Sequence, residues 1–254
     1  PNFMKIAPLM KAYRGHRDRM EALLVHTGQH YDAAMSKVFF EELEIAPPDI
    51  DLEVGSGSHA EQTARIMVGF ERLLERARPD LVVVVGDVNS TMACTITAAK
   101  MGVRSAHVEA GLRSFDRSMP EEINRRVTDA VSDLLFTTEK SANDNLLREG
   151  VPAERIFFVG NVMIDTLCNC LDRVRTLPLP VDGIPEGGYA VLTLHRPANV
   201  DDPLVLERIV STLEAIQRKI PVVFPVHPRT RKNLETFGLS EKLARMGRLI
   251  LLDP

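Results

Sequence analysis

The chain has 254 residues, of which 44% are hydrophobic and 26% are charged, and its net charge is −4. This composition is typical of a globular protein that buries a core in one large domain or two modest ones. The negative charge argues against binding to nucleic acid, and no apolar run reaches the ~20 residues that a membrane span needs. The three cysteines (Cys94, Cys168 and Cys170) do not form a disulfide framework, and their odd number favours a reducing, cytoplasmic location.

Short β-branched runs alternate along the chain with longer segments of helical periodicity. The strand-like runs are 22–26, 81–85, 105–108, 134–137, 155–159, 189–194, 221–226 and 249–252. Apolar residues recur at helical spacing in 60–77, 91–100, 161–175 and 203–219. The alternation predicts an α/β protein with doubly wound parallel sheets, and the apolar run LVVVV at 81–85 predicts a strand covered on both faces.

A change of composition near residue 180 predicts a domain boundary. The segment 176–188, TLPLPVDGIPEGG, carries three prolines and three glycines without periodicity. We therefore predict an N-terminal Rossmann-like domain over residues 1–170 and a partial C-terminal Rossmann-like domain over residues 186–254. A helical pattern opens the chain with no strand before it, and the chain stops just after a strand. Both ends predict a piece of a longer protein, with the first strand of the first domain missing.

Acidic residues follow two of the predicted strands at their carboxyl ends, where open parallel sheets bind ligands. Asp87 follows LVVVV and is a candidate general base, or else the N-cap of a helix over 91–100. Glu109 follows the next strand, where partial desolvation favours acid–base function. Its alternative role is a structural ion pair with Arg113, four residues later.

The segment SMPEEINR at 118–125 predicts a helix start. Ser118 and Glu121 have the spacing of a capping box, with a proline in the first turn. Glu121 and Arg125 are four residues apart and share a helix face. If this face lines a crevice, the pair supplies an acid and a cation suited to a phosphorylated substrate.

Two histidines follow strands of the predicted second domain. His195, next to Arg196, follows the strand at 189–194, and His227 follows the strand at 221–226. Either imidazole could donate to a phosphate, and either could be a loop histidine with a purely structural role. A different motif, GSGSHA at 55–60, fits the G-x-G-x-x-A fingerprint of dinucleotide sites, but the next acidic residue at a strand exit is Asp87, well past the expected ~20 positions.

Several motifs occur in the order typical of one family, and together they cover essentially the whole chain. They are PNFMKIAPL at 1–9, TGQHYD at 27–32, GDVNST at 86–91, HVEAGLRS at 107–114, PEEINR at 120–125, GNVMIDT at 160–166 and LHRPANVDD at 194–202. The sequence resembles the non-hydrolysing UDP-N-acetylglucosamine 2-epimerases. The resemblance implies two Rossmann-like domains arranged as in GT-B glycosyltransferases, with the second domain incomplete here.

The resemblance also implies a reaction, the reversible conversion of UDP-GlcNAc to UDP-ManNAc for cell-surface polysaccharide. In this family UDP is eliminated across C1–C2 to give a glycal and then added back, with neither a cofactor nor a metal. By motif, the catalytic residues are Asp87, Glu109, Glu121 and His195. The substrate-binding residues are Lys5, Arg113, Arg125 and Asn199, among which Arg113 is expected to orient the carboxylates.

Many bacterial members of the family use a second UDP-GlcNAc as an activator. The segments that form the activator site contain Gln29, His30, Arg65, Arg196 and His227. The strand-exit motif here is HRPAN, where many regulated members have HRREN. The resemblance further implies a homodimer, and related members act on UDP-linked diacetamido uronic acids.

The resemblance places part of the nucleotide site outside this sequence. An arginine before Pro1 and a C-terminal segment that grips uridine and ribose are missing, so we expect the 254-residue polypeptide itself to be inactive. Two other functions stay open. A GT-B-type glycosyltransferase would leave C2 of the sugar untouched, and a non-catalytic UDP-sugar binding module would bind without any exchange.

Overall fold

The computed structural model describes residues 2–28, 39–178 and 188–253. The chain divides into two compact units, residues 1–176 and residues 177–254. Each unit combines helices with strands that pair in parallel, so the predicted α/β class is confirmed. No helix in the described ranges is long and apolar enough to cross a membrane.

The first unit contains a pair of short parallel strands and a four-stranded parallel sheet. The pair is β1 (Val25–His26) with β2 (Ile50–Asp51), and the sheet has the order β3 (Leu81–Val85), β4 (Arg104–Ala110), β5 (Leu134–Thr137), β6 (Ile156–Phe158). The helices are α1 (Phe3–Arg14), α2 (His59–Ala77), α3 (Asn89–Lys100), α4 (Pro120–Val131), α5 (Lys140–Arg148) and α6 (Val162–Thr176), and a 3-10 turn (Ala153–Arg155) precedes β6.

Helix α2 begins within the glycine-rich segment GSGSHA. The Ser58 side chain accepts a hydrogen bond from the Glu61 backbone, and the Glu61 carboxylate accepts one from the Ser58 backbone. This reciprocal pair is a capping box, which gives the segment a structural role as a helix start. The helix then buries one apolar stripe against β3 and α3, formed by Ile66, Phe70, Leu73 and Leu74.

Strand β3 is covered along one face, and on the other face only at its carboxyl end, where Val85 is buried. Val82 and Val84 are buried in the core with α2 and α3, whereas Leu81 and Val83 are 39% and 50% exposed. The prediction that LVVVV is covered on both faces is therefore wrong for the described part of the chain. The apolar run misled because β-branched residues favour a strand whether or not both of its faces are buried.

The parallel arrangement brings the carboxyl ends of β3 and β4 to the same edge of the sheet. The two strands pair in register from Leu81 with Arg104 to Val85 with Val108. The Gly86 backbone N–H then donates to the Val108 carbonyl, 3.0 Å away. The residues that follow β3 are thus held beside the end of β4, in the position where parallel sheets bind ligands.

The second unit has a three-stranded parallel sheet of order β7 (Ala190–Val191), β8 (Val222–Pro225), β9 (Leu249–Leu252). Its helices are α7 (Pro197–Val200), α8 (Pro203–Gln217), α9 (Pro228–Thr236) and α10 (Ser240–Ala244). Asp202 caps α8 by accepting from the Leu204 and Val205 backbone. A single apolar cluster forms the core of this unit and includes Leu206, Val210, Leu213, Val222 and Phe224.

Candidate active site

Asp87 lies in the loop between β3 and α3, which we call the Gly86 loop (residues 86–88). Its Oδ2 atom accepts two hydrogen bonds from Arg125, at 3.0 Å from Nε and 2.8 Å from Nη2. Helix α3 begins at Asn89 after Val88, and no side chain caps it. The alternative that Asp87 caps this helix is therefore wrong, and the carboxylate instead forms a partly exposed ion pair across 38 residues of sequence.

Glu109 lies inside β4, in a backbone conformation that is unusual for a residue with a side chain. Its φ angle is 78°, and the register between β4 and β5 shifts between Val108 and Ala110. Such an irregularity turns a side chain away from the normal alternation of a strand and costs about 1–3 kcal/mol. The carboxylate accepts from Lys5 Nζ at 2.9 Å, and the two side chains are only 13% and 11% exposed. The alternative pairing of Glu109 with Arg113 is wrong.

Gly86 brings these two ion pairs together. A Cβ atom at this position would lie 2.7 Å from Lys5 Nζ and 2.6 Å from the Asn2 side-chain oxygen, and the φ angle of 68° also favours glycine. Lys5 therefore lies directly against the loop that carries Asp87. The structure thus gathers Asp87, Glu109, Lys5 and Arg125 around one loop at the carboxyl edge of the sheet.

Glu122, rather than Glu121, is the carboxylate that Arg125 contacts on α4. Glu122 is fully buried, and its Oε2 accepts from Arg125 Nη1 at 2.9 Å and from the backbone and hydroxyl of Ser114 at 2.9 and 3.1 Å. Burial alone would raise the pKa of Glu122, but these hydrogen bonds outweigh it and lower the pKa below its usual value. Glu122 therefore anchors Arg125 from the side opposite Asp87.

The start of α4 differs from the prediction. The helix begins at Pro120 with Met119 as its N-cap, and no side chain caps it. The Ser118 hydroxyl donates to Asp116 instead, at 2.7 Å, so the predicted capping box with Glu121 is wrong. Glu121 is exposed and makes no hydrogen bond or ion pair with any other residue in the described part of the chain.

A buried network of hydrogen bonds holds the Gly86 loop in place. His107 is fully buried, with Nδ1 at 2.6 Å from Asp129 Oδ1 and Nε2 at 2.8 Å from the Gly86 carbonyl. Asp129 also accepts from the Gly111 backbone at 3.0 Å and from Arg113 Nη1 at 2.7 Å. The Gly86 carbonyl can only accept, so Nε2 of His107 carries hydrogen and donates to it, while Nδ1 shares the second hydrogen bond with Asp129. The ring thus fixes the carbonyl from which the Gly86 loop departs.

Two groups of this network have shifted pKa values. Burial would raise the pKa of Asp129, but the hydrogen bond and charge of His107 and the charge of Arg113 lower it. Burial would lower the pKa of Arg113, but hydrogen bonds to Glu149 and Asp129 raise it. The Arg113 side chain is 0% exposed and binds Glu149 through two parallel hydrogen bonds of 2.9 and 2.6 Å. A substrate could reach this guanidinium only if Arg113 left those partners.

Sequence analysis missed the roles of Glu122 and Asp129. Glu122 follows Glu121 in the motif, and only the observed start of α4 shows which of the two faces inward. The available signal for Asp129 was a histidine in an otherwise apolar strand, since a buried imidazole needs a partner. That partner lies 22 residues away on α4.

The second unit presents its predicted site residues to solvent. His195, Arg196 and Asn199 are exposed after β7, and His195 lies 5.5 Å from His227 between ring centroids. His227 is the N-cap of α9, and its Nδ1 accepts from the Arg229 backbone. This contact supports the structural interpretation of His227 and leaves the exposed ring of His195 available.

The remaining predicted residues belong to the activator segments. Gln29 and His30 lie outside the described residues. Arg65 is on α2, donates to the Val54 carbonyl at 2.8 Å, and lines a cavity of about 500 Å³ together with residues 53–56. A second cavity, of about 490 Å³, lies between residues 112–115, Arg125 and α5. Within the described ranges no group of three or more His, Cys, Asp or Glu side chains is placed to hold a metal.

Comparison with known proteins places this arrangement in a family. Residues 13–254 match the family described as UDP-N-acetylglucosamine 2-epimerase. A UDP-N-acetylglucosamine 2-epimerase homolog of Methanococcus maripaludis is 45% identical over 257 residues, which cover 100% of this chain and 70% of the relative. The UDP-2,3-diacetamido-2,3-dideoxy-D-glucuronate 2-epimerase of Pseudomonas aeruginosa is 43% identical over 242 residues, which cover 94% of this chain and 67% of the relative.

A solved structure agrees with these sequence matches. The UDP-GlcNAc 2-epimerase of Methanocaldococcus jannaschii, in complex with UDP-GlcNAc and UDP, is 37% identical with a TM-score of 0.82. The alignment covers 99% of this chain and 70% of that protein. The predicted GT-B-like fold class is confirmed by this likeness. The chain belongs to the UDP-N-acetylglucosamine 2-epimerase family.

Proposed function

We propose that the protein interconverts UDP-GlcNAc and UDP-ManNAc by removing and returning the proton on C2, with elimination and re-addition of UDP through a glycal. The observation that carries the proposal is the cluster at the Gly86 loop. Two carboxylates, Asp87 and Glu109, lie there beside two cations, Arg125 and Lys5. Glu109 also has a strained backbone, a feature that concentrates at functional sites.

The chemistry requires both kinds of charge. The C2 proton is not next to a carbonyl and is barely acidic, so its removal needs a positioned base, and its return from the other face needs a second carboxyl group. Departure of UDP develops negative charge on the diphosphate, which preorganised cations stabilise in the transition state. Asp87 and Glu109 supply the first function, and Lys5 and Arg125 supply the second.

Other predicted residues complete the proposal. Glu121 is exposed on α4 and is proposed as a further acid–base carboxylate, and His195 and Asn199 as exposed contacts for the substrate. Arg113 is proposed to act through the network that it forms with Asp129. Assembly as a homodimer, activation by a second UDP-GlcNAc through Arg65, and a supply of ManNAc-type sugars for polysaccharide are parts of the same proposal.

A second candidate substrate follows from one relative. The Pseudomonas aeruginosa protein named for UDP-2,3-diacetamido-2,3-dideoxy-D-glucuronate is 43% identical over 94% of this chain. That substrate differs from UDP-GlcNAc at C3 and C6, while the chemistry at C2 is the same. Both UDP-sugars should therefore be tested side by side, and the ratio of their kcat/KM values decides which is the natural substrate.

Exchange in deuterated water tests the proposed reaction. Because the relatives are longer, the 254-residue chain and, where its gene extends further, the full-length product are both incubated with UDP-GlcNAc. An epimerase incorporates deuterium at C2 and forms UDP-ManNAc, and quenched samples contain free UDP and glycal. A glycosyltransferase would form a new glycoside without deuterium at C2. Binding without deuterium incorporation in either form would show a binding module and refute the proposal.

Substitution of the clustered acids tests their roles. Asp87→Asn and Glu109→Gln keep the shape of each side chain and should each lower kcat by roughly 10²–10⁴-fold, the usual contribution of a positioned acid or base. Asp144→Asn on the exposed face of α5 is the matched control and should leave kcat unchanged. Near-normal rates in both site variants would contradict the assignment.

A further inference from the structure

The two proposed acids are each bound to one of the two proposed diphosphate cations. Asp87 takes the Nε and Nη2 donors of Arg125, and Glu109 takes Lys5 Nζ at 2.9 Å. These donors are the ones that a diphosphate would use, since the Nε and Nη2 edge of a guanidinium is the edge that matches two phosphate oxygens. Carboxylate and phosphate therefore compete for the same positive groups.

We propose that the ligand exchanges these ion pairs, so that its diphosphate replaces Asp87 on Arg125 and Glu109 on Lys5, and both carboxylates are released for proton transfer. This inference rests on the proposed function, because it takes the ligand to be a nucleoside diphosphate sugar. The acids are thus neutralised while the site is empty and become free bases only when a diphosphate is present.

The geometry at Arg125 favours such an exchange. Both hydrogen bonds to Asp87 end on one oxygen, Oδ2, whereas the strongest pairing uses two parallel bonds to two oxygens. The Asp87 side chain is 23% exposed, so a ligand from solvent can reach this pair. The third contact of Arg125, from Nη1 to the fully buried Glu122, lies away from this edge. Glu122 is therefore the positioning residue that keeps the guanidinium in place while its other partner changes.

The exchange has a thermodynamic signature that differs from that of an ordinary contact. A cation that is paired with an internal carboxylate can bind a phosphate only in the fraction of molecules in which the ion pair is open. The apparent affinity for phosphate is reduced by that open fraction. Removing the carboxylate must then strengthen phosphate binding, although the same change abolishes proton transfer. An ordinary supporting contact would show the opposite effect, because its loss would weaken binding.

Binding of inorganic pyrophosphate, measured by calorimetry at fixed ionic strength, tests the proposal. Asp87→Asn and Glu109→Gln should each lower Kd by roughly three- to tenfold, the range expected for partly exposed ion pairs. Glu75→Gln on the exposed face of α2 removes the same charge where the described part of the chain offers no hydrogen-bond or ion-pair partner, and it should leave Kd unchanged. Unchanged or weaker binding in both site variants would overturn the exchange.

Double variants separate exchange from simple charge repulsion. The effect of Asp87→Asn should vanish in an Arg125→Gln background and persist in a Lys5→Gln background, while Glu109→Gln should show the reverse dependence. Repulsion alone would leave each effect the same in both backgrounds, and that result would refute the proposal. Arg125→Gln leaves Glu122 buried without its cation and could prevent folding. In that case the double-mutant cycle of Lys5→Gln with Glu109→Gln provides the test.

The outcomes also separate this proposal from the proposed function. Deuterium incorporation at C2 together with unchanged pyrophosphate binding in the variants would retain the epimerase and reject the exchange. Tighter, cation-dependent binding without any deuterium incorporation would retain the exchange and reject the epimerase. If no form binds pyrophosphate, the exchange is rejected, and deuterium incorporation at C2 alone decides on the epimerase.

Discussion

Replacing Asp129 by asparagine should destabilise the first unit strongly, although Asp129 touches no solvent-exposed part of the site. The carboxylate is 1% exposed and accepts hydrogen bonds from His107, Gly111 and Arg113 over 2.6, 3.0 and 2.7 Å. The Asp129→Asn amide keeps one oxygen but loses the charge. Its NH2 group replaces one of the two accepting oxygens, so it must face either His107 or the N–H groups of Gly111 and Arg113.

The expected cost follows from burial of the charges. Removing one partner of a buried ion pair costs about 3–5 kcal/mol, because the other charge stays buried without compensation. Arg113 keeps Glu149, so the lower part of that range applies to it, while His107 loses the carboxylate that faces its Nδ1 atom. For a unit of this size, about 3–5 kcal/mol lowers Tm by roughly 6–20 °C.

Urea unfolding and calorimetry of both forms, between pH 7 and pH 3, provide the assay. The pKa of Asp129 is lowered in the folded protein, so its stabilising contribution is complete above the ordinary value of about 4 and is lost as pH falls through the folded value. The difference in unfolding free energy between the two forms should therefore be largest at pH 7 and shrink toward pH 3. Asp144→Asn, exposed on α5, should change stability by less than about 0.5 kcal/mol. A difference below about 1 kcal/mol at pH 7, or one independent of pH, would refute the reasoning.

Two further predictions concern the same unit. Gly111→Ala should lower the free energy of unfolding in urea by at least about 2 kcal/mol more than Gly150→Ala does. Both residues have positive φ angles, but only at Gly111 would the new Cβ lie 2.5 Å from a backbone oxygen of α5. Equal losses of stability would show that this contact relaxes. Burial raises the pKa of Cys94 to about 12, so at pH 8 an aromatic disulfide reagent should modify the exposed Cys168 within minutes and modify Cys94 only after denaturation. Rapid modification of Cys94 in the native protein would mean that the α3 core opens readily.

Local signals predicted the secondary structure well where apolar residues were continuous. The strands at 81–85, 134–137 and 249–252 have the predicted bounds, and α2 begins one residue before its predicted start. The strand predicted at 189–194 is reduced to Ala190–Val191, since β-branched composition alone does not supply a partner for every residue. Helix caps were predicted less well than strands. The predicted capping box at Ser118 is absent, and one is formed at Ser58 instead.

The charge pairs of the site could not be predicted from spacing along the chain. Glu109 has a cation four residues away, yet its partner is Lys5, which is 104 residues distant. Spacing of four residues favours contact only within a helix, and Glu109 lies in a strand that shifts register. Family motifs identified Asp87, Glu109 and Arg125 without showing that the acids and the cations are bound to each other.

The shared acceptor Asp129 has a consequence for how this sequence can vary. Its carboxylate binds both His107 and Arg113, and Arg113 also binds Glu149, which Arg126 approaches at 3.8 Å. A change at Asp129 alone leaves two buried side chains without their common acceptor, whereas a matching change at His107 removes one of them. We expect relatives that lack His107 to differ at Asp129 as well, and engineered variants to succeed only when such positions are exchanged in matched pairs.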